Sequence, residues 1–269
     1  MALKCFRNFD YHSVHVAGAE RIAKIAAECG VSNFIHVSHL NASKTSPSKF
    51  YQTKAQGEEL VKAAFPTATI VRPSTMFGYE DKLLNNIAGN HIRCHKFVCE
   101  VDLPPNQCGQ SGGSLTMHRQ KFDPFMLVSL LASHIVYCVE HQSQVLDVAQ
   151  ALTNLLSRSR PSQTIHLPGP STLTYEYLLD LVSSVTLEPP SRAPVLPQAI
   201  ARILAKLGQN VWWPTLSPDE VVRRYIDDVD VPGDWNDVGV QPTEIEDTAI
   251  AYLRRYRSAY VHGTSFRAD

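Results

Sequence analysis

Phe34-Ile-His-Val-Ser38, Phe50-Tyr51-Gln-Thr-Lys54 and Ala68-Thr-Ile-Val-Arg72 together decide the fold. The outer two runs are short, apolar and rich in β-branched residues, which is the composition of buried strands. Between them, Ala55, Leu60, Val61 and Ala64 recur at helical spacing from Tyr51 to Ala64, and the polar run from Asn41 to Ser48, with Pro47, reads as a loop. A strand, a helix and a strand with short connections specify a parallel β-α-β unit, because parallel strands need a helical crossover. Pro73 is expected to stop the second strand.

Upstream, Val16, Ala19, Ile22, Ala23, Ala26 and Ala27 predict an amphipathic helix over Val14 to Cys29, ended by Gly30. Downstream, residues 89–144 break the register: four of the six cysteines lie between Cys94 and Cys138, and Pro104-Pro105 and Gly112-Gly113 interrupt any period. Only Met126 to Val139 offers a candidate element there. Helical patterns return over Val145 to Ser157, Thr174 to Val185 and Gln198 to Gly208, with a proline-rich connection from Pro189 to Pro197. Ser217, with Pro218 and Glu220, carries an N-cap signature, as do Thr243 and Glu246 for a last helix over Pro242 to Tyr256. There is no internal repeat.

The 269 residues are 44% hydrophobic with a net charge of −1, enough apolar material for one or two packed domains and no overall field that would recruit nucleic acid or anionic lipid. Six cysteines without a Cys-x-x-Cys pair make neither a disulfide framework nor a zinc site. The longest apolar candidate, Phe125 to Val139, is too short to span a bilayer and contains His134. The opening seven residues are too brief for a complete signal or transit peptide.

Residues four apart on a helix share a face, so a lysine can lower the pKa of a tyrosine placed four residues before it and also hold a sugar hydroxyl. Here Lys54 is preceded at that spacing by Phe50, while Tyr51 lies three before it, about 100° around the helix. Ser38 ends the first strand, and Arg72-Pro73-Ser74-Thr75-Met76-Phe77-Gly78 follows the second. In order and spacing these three blocks resemble the extended short-chain dehydrogenase/reductase family. That resemblance implies an NAD(P)-binding, Rossmann-like parallel α/β sheet, with a smaller, mainly helical C-terminal part. It also implies that the serine, the lysine and the Arg-Pro loop surround a nicotinamide.

The Ser38 to Ala42 run, Phe50 to Glu58, Arg72 to Asn85, Val145 to Ala151, His166 to Pro170, Asp227 to Gly239 and Pro242 to Arg255 are more similar to one branch. That branch is formed by the short-chain-dehydrogenase-like accessory subunits of mitochondrial respiratory complex I, of the alpha-subcomplex 9 type. It implies a tightly held NADPH in a structural role, partners among the other complex I subunits, and a matrix-side position near the inner membrane. Residue by residue, the cofactor contacts would be Ser38, Lys54, Pro73, Ser74, Thr75 and Met76, with no metal and, given Phe50, no catalytic residue. The family's opening strands and its glycine-rich phosphate loop have no counterpart here, since Gly18 stands alone and Gly109, Gly112 and Gly113 follow no strand. NADPH binding by this chain is therefore expected to be weak or absent.

The expected organisation is the second half of a nucleotide-binding domain over 1–88, an irregular insertion over 89–144, and a C-terminal, subunit-docking region over 145–269. A non-catalytic, NADPH-associated subunit is the first reading. An active NAD(P)-dependent epimerase, dehydratase or reductase using Tyr51 is the alternative. Arg254, Arg255 and Arg257 read as a solvated helix face.

Overall fold

The structure, a computed structural model, describes residues 10–81, 83–85, 87–89, 139–157, 162–187, 197–211 and 217–257. The first helical segment opens with a π-helical stretch, Ser13–Gly18, and continues as α1, Ala19–Glu28; Gly30 beyond it takes a φ of +67°, the left-handed conformation glycine adopts freely. Next come β1 (Ile35–Val37), α2 (Lys49–Ala64), β2 (Thr69–Pro73) and β3 (Thr75–Phe77). After residue 138 follow β4 (Val139–Gln144), α3 (Val145–Ser157), β5 (Thr164–Leu167), β6 (Thr172–Thr174) and α4 (Tyr175–Thr186). The remaining helices are α5 (Gln198–Val211), α6 (Pro218–Arg223), α7 (Trp235–Val238) and α8 (Ile245–Leu253).

One sheet has the order β1-β2-β5 and is wholly parallel, with His36 level with Ile70, and Arg72 level with His166. Successive side chains on β2 point to opposite faces, and both faces are covered. Ile70 packs with Ala23 of α1, with Val61 of α2 and with Phe65; Val71 packs with Val148, Ala151 and Leu155 of α3, and with Trp235 and Val238 of α7. Helices on both sides of a parallel sheet make a three-layer α/β architecture, which contains the parallel unit that the strand-helix-strand run predicts and is of the Rossmann-like kind that the family resemblance implies. A second sheet, β3-β4-β6, is parallel between β3 and β4 and antiparallel between β4 and β6. Beside it a separate core gathers Phe77, Leu84, Leu178 and Val182 with Ile245, Tyr252 and Leu253.

Close approach is bought by glycine at two places. A Cβ on Gly57 would stand 2.2 Å from the His15 carbonyl oxygen, so only glycine lets α2 lie against the π-helical stretch; a Cβ on Gly169 would come equally close to the Gln142 oxygen.

Several sequence expectations need correction. β2 runs through Pro73 rather than stopping before it, because the Pro73 oxygen still accepts from the Leu40 amide at 2.9 Å. The tract read as lacking elements ends in β4, whose ladder to β3 gives a polar sequence its strand. Most of the candidate element Met126 to Val139, and the Pro189 to Pro197 connection up to residue 196, lie outside the described residues. Ser217 caps α6 as expected, its Oγ accepting from the Glu220 amide at 3.1 Å. Thr243 is no N-cap: α8 is preceded by Glu244, and the Thr243 amide donates to Asp147 Oδ2 at 2.6 Å. Of the three arginines, Arg255 reaches Asn85 Oδ1 at 2.8 Å and stacks on Tyr79, while Arg257 Nε donates to the Val185 oxygen at 2.8 Å, so two of the three are tied into the fold.

Candidate functional site

Ser38, Lys54, Pro73 and Ser74 come together at the C-terminal ends of β1 and β2, where open parallel sheets bind their ligands. The Ser38 amide donates to the Val71 oxygen at 2.8 Å, which fixes the end of β1 beside β2. Its side chain is buried, and its Oγ has no hydrogen-bond partner among the described residues. Lys54 projects from the second turn of α2 and donates from Nζ to the Val37 oxygen at 3.2 Å. Burial pushes its ammonium pKa down, with Glu58 acting in the opposite direction. An ammonium has three donors, and this bond uses one.

The loop after β2 is knitted into the sheet. The Ser74 amide donates to the Leu167 oxygen at 3.1 Å, and the Ser74 hydroxyl is paired with that of Ser143 at 2.7 Å, which itself donates to the Leu167 oxygen at 2.9 Å. Thr75 and Met76 lie in β3 level with Gln142 and Ser143, and Met76 is exposed. Arg72 makes a bidentate pair with Glu58 of α2, Nε to Oε1 at 2.9 Å and Nη2 to Oε2 at 2.5 Å. This guanidinium holds α2 to the sheet.

Position 50 is a packing centre. The Phe50 ring lies within 6 Å, centroid to centroid, of Tyr11, His15, His39 and Tyr51, at 5.8, 5.1, 5.9 and 5.5 Å. The Arg223 guanidinium from α6 stands over its face at 4.6 Å, and Lys54 Nζ is 5.9 Å from its centroid. Cation–π contact suits a phenyl face, and a phenyl ring carries no proton to transfer. The partners of Phe50 are thus rings and an arginine. Tyr51 is buried and its ring lies 4.9 Å from that of His39.

His39 is an unsuitable general acid. Burial, reinforced by Arg223 and Lys54, lowers its pKa to about 3, and its Nδ1 accepts from the Asn41 amide at 3.1 Å, as a neutral imidazole does. His15 is likewise held down to about 4, by burial and then by Lys54 and His36.

Lys54, with two donors beyond its bond to Val37, is the group here that could hold a ribose hydroxyl, and the Ser38 hydroxyl, buried and without a partner among the described residues, lies one residue beyond Val37. A glycine-rich cradle for the phosphates is not found among the described residues, and neither is a cluster of metal-ligating side chains. No helix among them is long and apolar enough to cross a membrane.

Sequence reasoning missed the residues that frame this site from far along the chain. Asp219 caps α2, Asn41 is buried between Asp228 and Val229, and Asp234 accepts the His166 amide on β5 at 2.7 Å. Asp219 could have been noticed only as an acid in the first turn of α6, where helix-dipole stabilisation is explanation enough.

Comparison with known proteins places these features in context. No family model matches the chain. It is 32% identical over 255 residues to the mitochondrial NADH-ubiquinone oxidoreductase 40 kDa subunit of Neurospora crassa, covering 94% of this chain and 58% of that subunit. It is also 32% identical over 257 residues to the mitochondrial NADH dehydrogenase [ubiquinone] 1 alpha subcomplex subunit 9 of Rattus norvegicus, covering 94% of this chain and 59% of that one. The chain thus spans about three-fifths of the length of these relatives. Among solved structures, MoeE5 in complex with UDP-glucose and NAD superposes with a TM-score of 0.51 at 13% identity, covering 93% of this chain and 72% of that one, a likeness of fold.

Proposed function

This chain belongs by sequence to the family of the mitochondrial complex I 40 kDa and alpha-subcomplex 9 subunits, and from that membership we propose that it serves as a non-catalytic, NADPH-associated subunit of complex I. The observation that carries the reading is Phe50. The position four residues before Lys54 holds a ring without a hydroxyl, enclosed by Tyr11, His15, His39 and Arg223, while Lys54 and Ser38 keep the groups a ribose needs.

In this reading Lys54 and Ser38 hold the nicotinamide ribose, and Pro73, Ser74, Thr75 and Met76 line the nicotinamide end. NADPH would supply redox capacity when bound, but position 50 gives this chain no proton donor with which to use it. The absence of a glycine-rich cradle among the described residues makes the expected affinity of this chain alone low. The other complex I subunits are the partners, on the matrix side of the inner membrane.

Blue-native electrophoresis of mitochondrial membranes, with peptide mass spectrometry of the complex I band, tests the assignment. Peptides from residues 34–72 in that band are the expected result. A small soluble species that turns over nucleotide sugars or carbonyl substrates with NAD(P) would replace it with an enzymatic role.

A further inference from the structure

Ser48 stands at the N-cap of α2, but its side chain caps nothing. Instead its hydroxyl donates to Asp219 Oδ2 at 3.0 Å, and the Lys49 and Phe50 amides donate to the same carboxylate at 2.7 and 3.2 Å. The cap of α2 is therefore imported from α6, across 171 positions of sequence. Four residues further along α6, Arg223 covers the Phe50 ring. A second clasp follows: Asn41 Nδ2 donates to Asp228 Oδ1 at 2.6 Å, Asn41 Oδ1 accepts from the Val229 amide at 3.0 Å, and Asp228 Oδ2 accepts from the His141 amide at 2.9 Å.

The segment from Asp219 to Val229 thus grips two elements, the first turn of α2 and the loop after β1. The first precedes the turn that carries Lys54, and the second follows Ser38. The exposed amides at a helix start need acceptors, and a carboxylate there is also favoured by the helix dipole. Without it the first turn frays, and Lys54 projects from the turn that follows.

We propose that residues 219–229 form a latch that positions Lys54 and Ser38, with Asp219 and Arg223 as its positioning residues, so that seating of the latch and loading of the nucleotide site regulate each other. This rests on the nucleotide reading above. Coupling between two sites is reciprocal: whatever the latch contributes to nucleotide affinity, bound nucleotide returns to the latch. A partner that grips residues 219–229 would then adjust the nucleotide site without touching it.

Amide hydrogen exchange on the full chain, with and without NADPH, is the test. In Asp219→Ala, exchange at the Lys49 and Phe50 amides should rise about tenfold while amides in β2 keep their rates, the signature of local opening. NADPH affinity should fall about fivefold, with Asp219→Asn, which retains an acceptor oxygen, recovering part of the loss. In the unchanged chain NADPH should slow exchange at the Asp228 and Val229 amides, which a purely structural contact would not do. Arg223→Ala supplies an independent variant should Asp219→Ala fail to fold. Unaltered exchange at Lys49 and Phe50 in Asp219→Ala overturns the latch, as does NADPH binding that leaves Asp228 and Val229 unprotected. If the unchanged chain binds no NADPH at all, the coupling is overturned for this chain, the complex I assignment is left to the blue-native test, and the α2 exchange result decides whether the clasp holds the helix.

Discussion

β1 and β2 lie side by side in one register, yet their surroundings differ. β2 is paired along both edges, and Ile70 and Val71 are fully buried, one on each face. Among the described residues β1 is paired along one edge only, Ile35 and His36 are half-buried, and Val37 is 36% exposed. The helix beside it repeats the contrast, since α1 buries Ala23 but leaves Ile22 and Ile25 at 60% and 50% exposure. Packing against the central strand supplies the stability of this layer, and its outer margin holds apolar surface that contributes little to it.

The largest effect is expected where that contrast is greatest. Ile70→Ala should cost about 2–5 kcal/mol in urea denaturation, the range for deleting a fully buried branched side chain, whereas Val37→Ala should cost less than about 1 kcal/mol. Equal losses would mean that the margin of β1 is covered in solution.

Gly57→Ala comes next. The added methyl must displace the His15 carbonyl, so a loss of about 1–3 kcal/mol is expected, together with weaker docking of the helix that precedes β1. A thermal melt unchanged from that of the parent chain would show that the π-helical stretch shifts freely.

Acid should produce the smallest and most diagnostic change. His15 and His39 have folded-state pKa values of about 4 and about 3, below the ordinary value near 6.5, so protons bind the unfolded chain more readily. Their stabilisation is complete above about pH 6.5 and fades as pH falls toward 4 and then 3. Solvent screening at these half-buried rings keeps the slope below the full value of about 1.4 kcal/mol per pH unit for each histidine. Urea midpoints at pH 7 and pH 5, in the parent and in His39→Asn, measure it; a variant with the parent's full pH slope would remove His39 from the account.

The parallel unit was legible because its signals are local. Ile35 to Val37, the helical spacing of Ala55 and Val61, and Thr69 to Val71 each declare their element within a few residues. β4 was not, because Glu140, His141 and Gln142 carry no apolar alternation, and the strand exists through its ladders to β3 and β6. The site divides the same way. Lys54 and the missing tyrosine hydroxyl are visible in a spacing of four residues, while the closure of that site by Asp219, Arg223 and Asp228 depends on residues distant in the chain, and a cap or a stacked cation leaves no local pattern.

The β3–β4 ladder sets Thr75 level with Gln142 and Phe77 level with Gln144, so two segments far apart in the chain must meet before either becomes a strand. Contacts of such long sequence separation carry a loop-closure cost that precedes their reward, whereas β1, α2 and β2 follow one another closely. The β1-α2-β2 unit is therefore expected to form early in folding and the β3-β4-β6 sheet late.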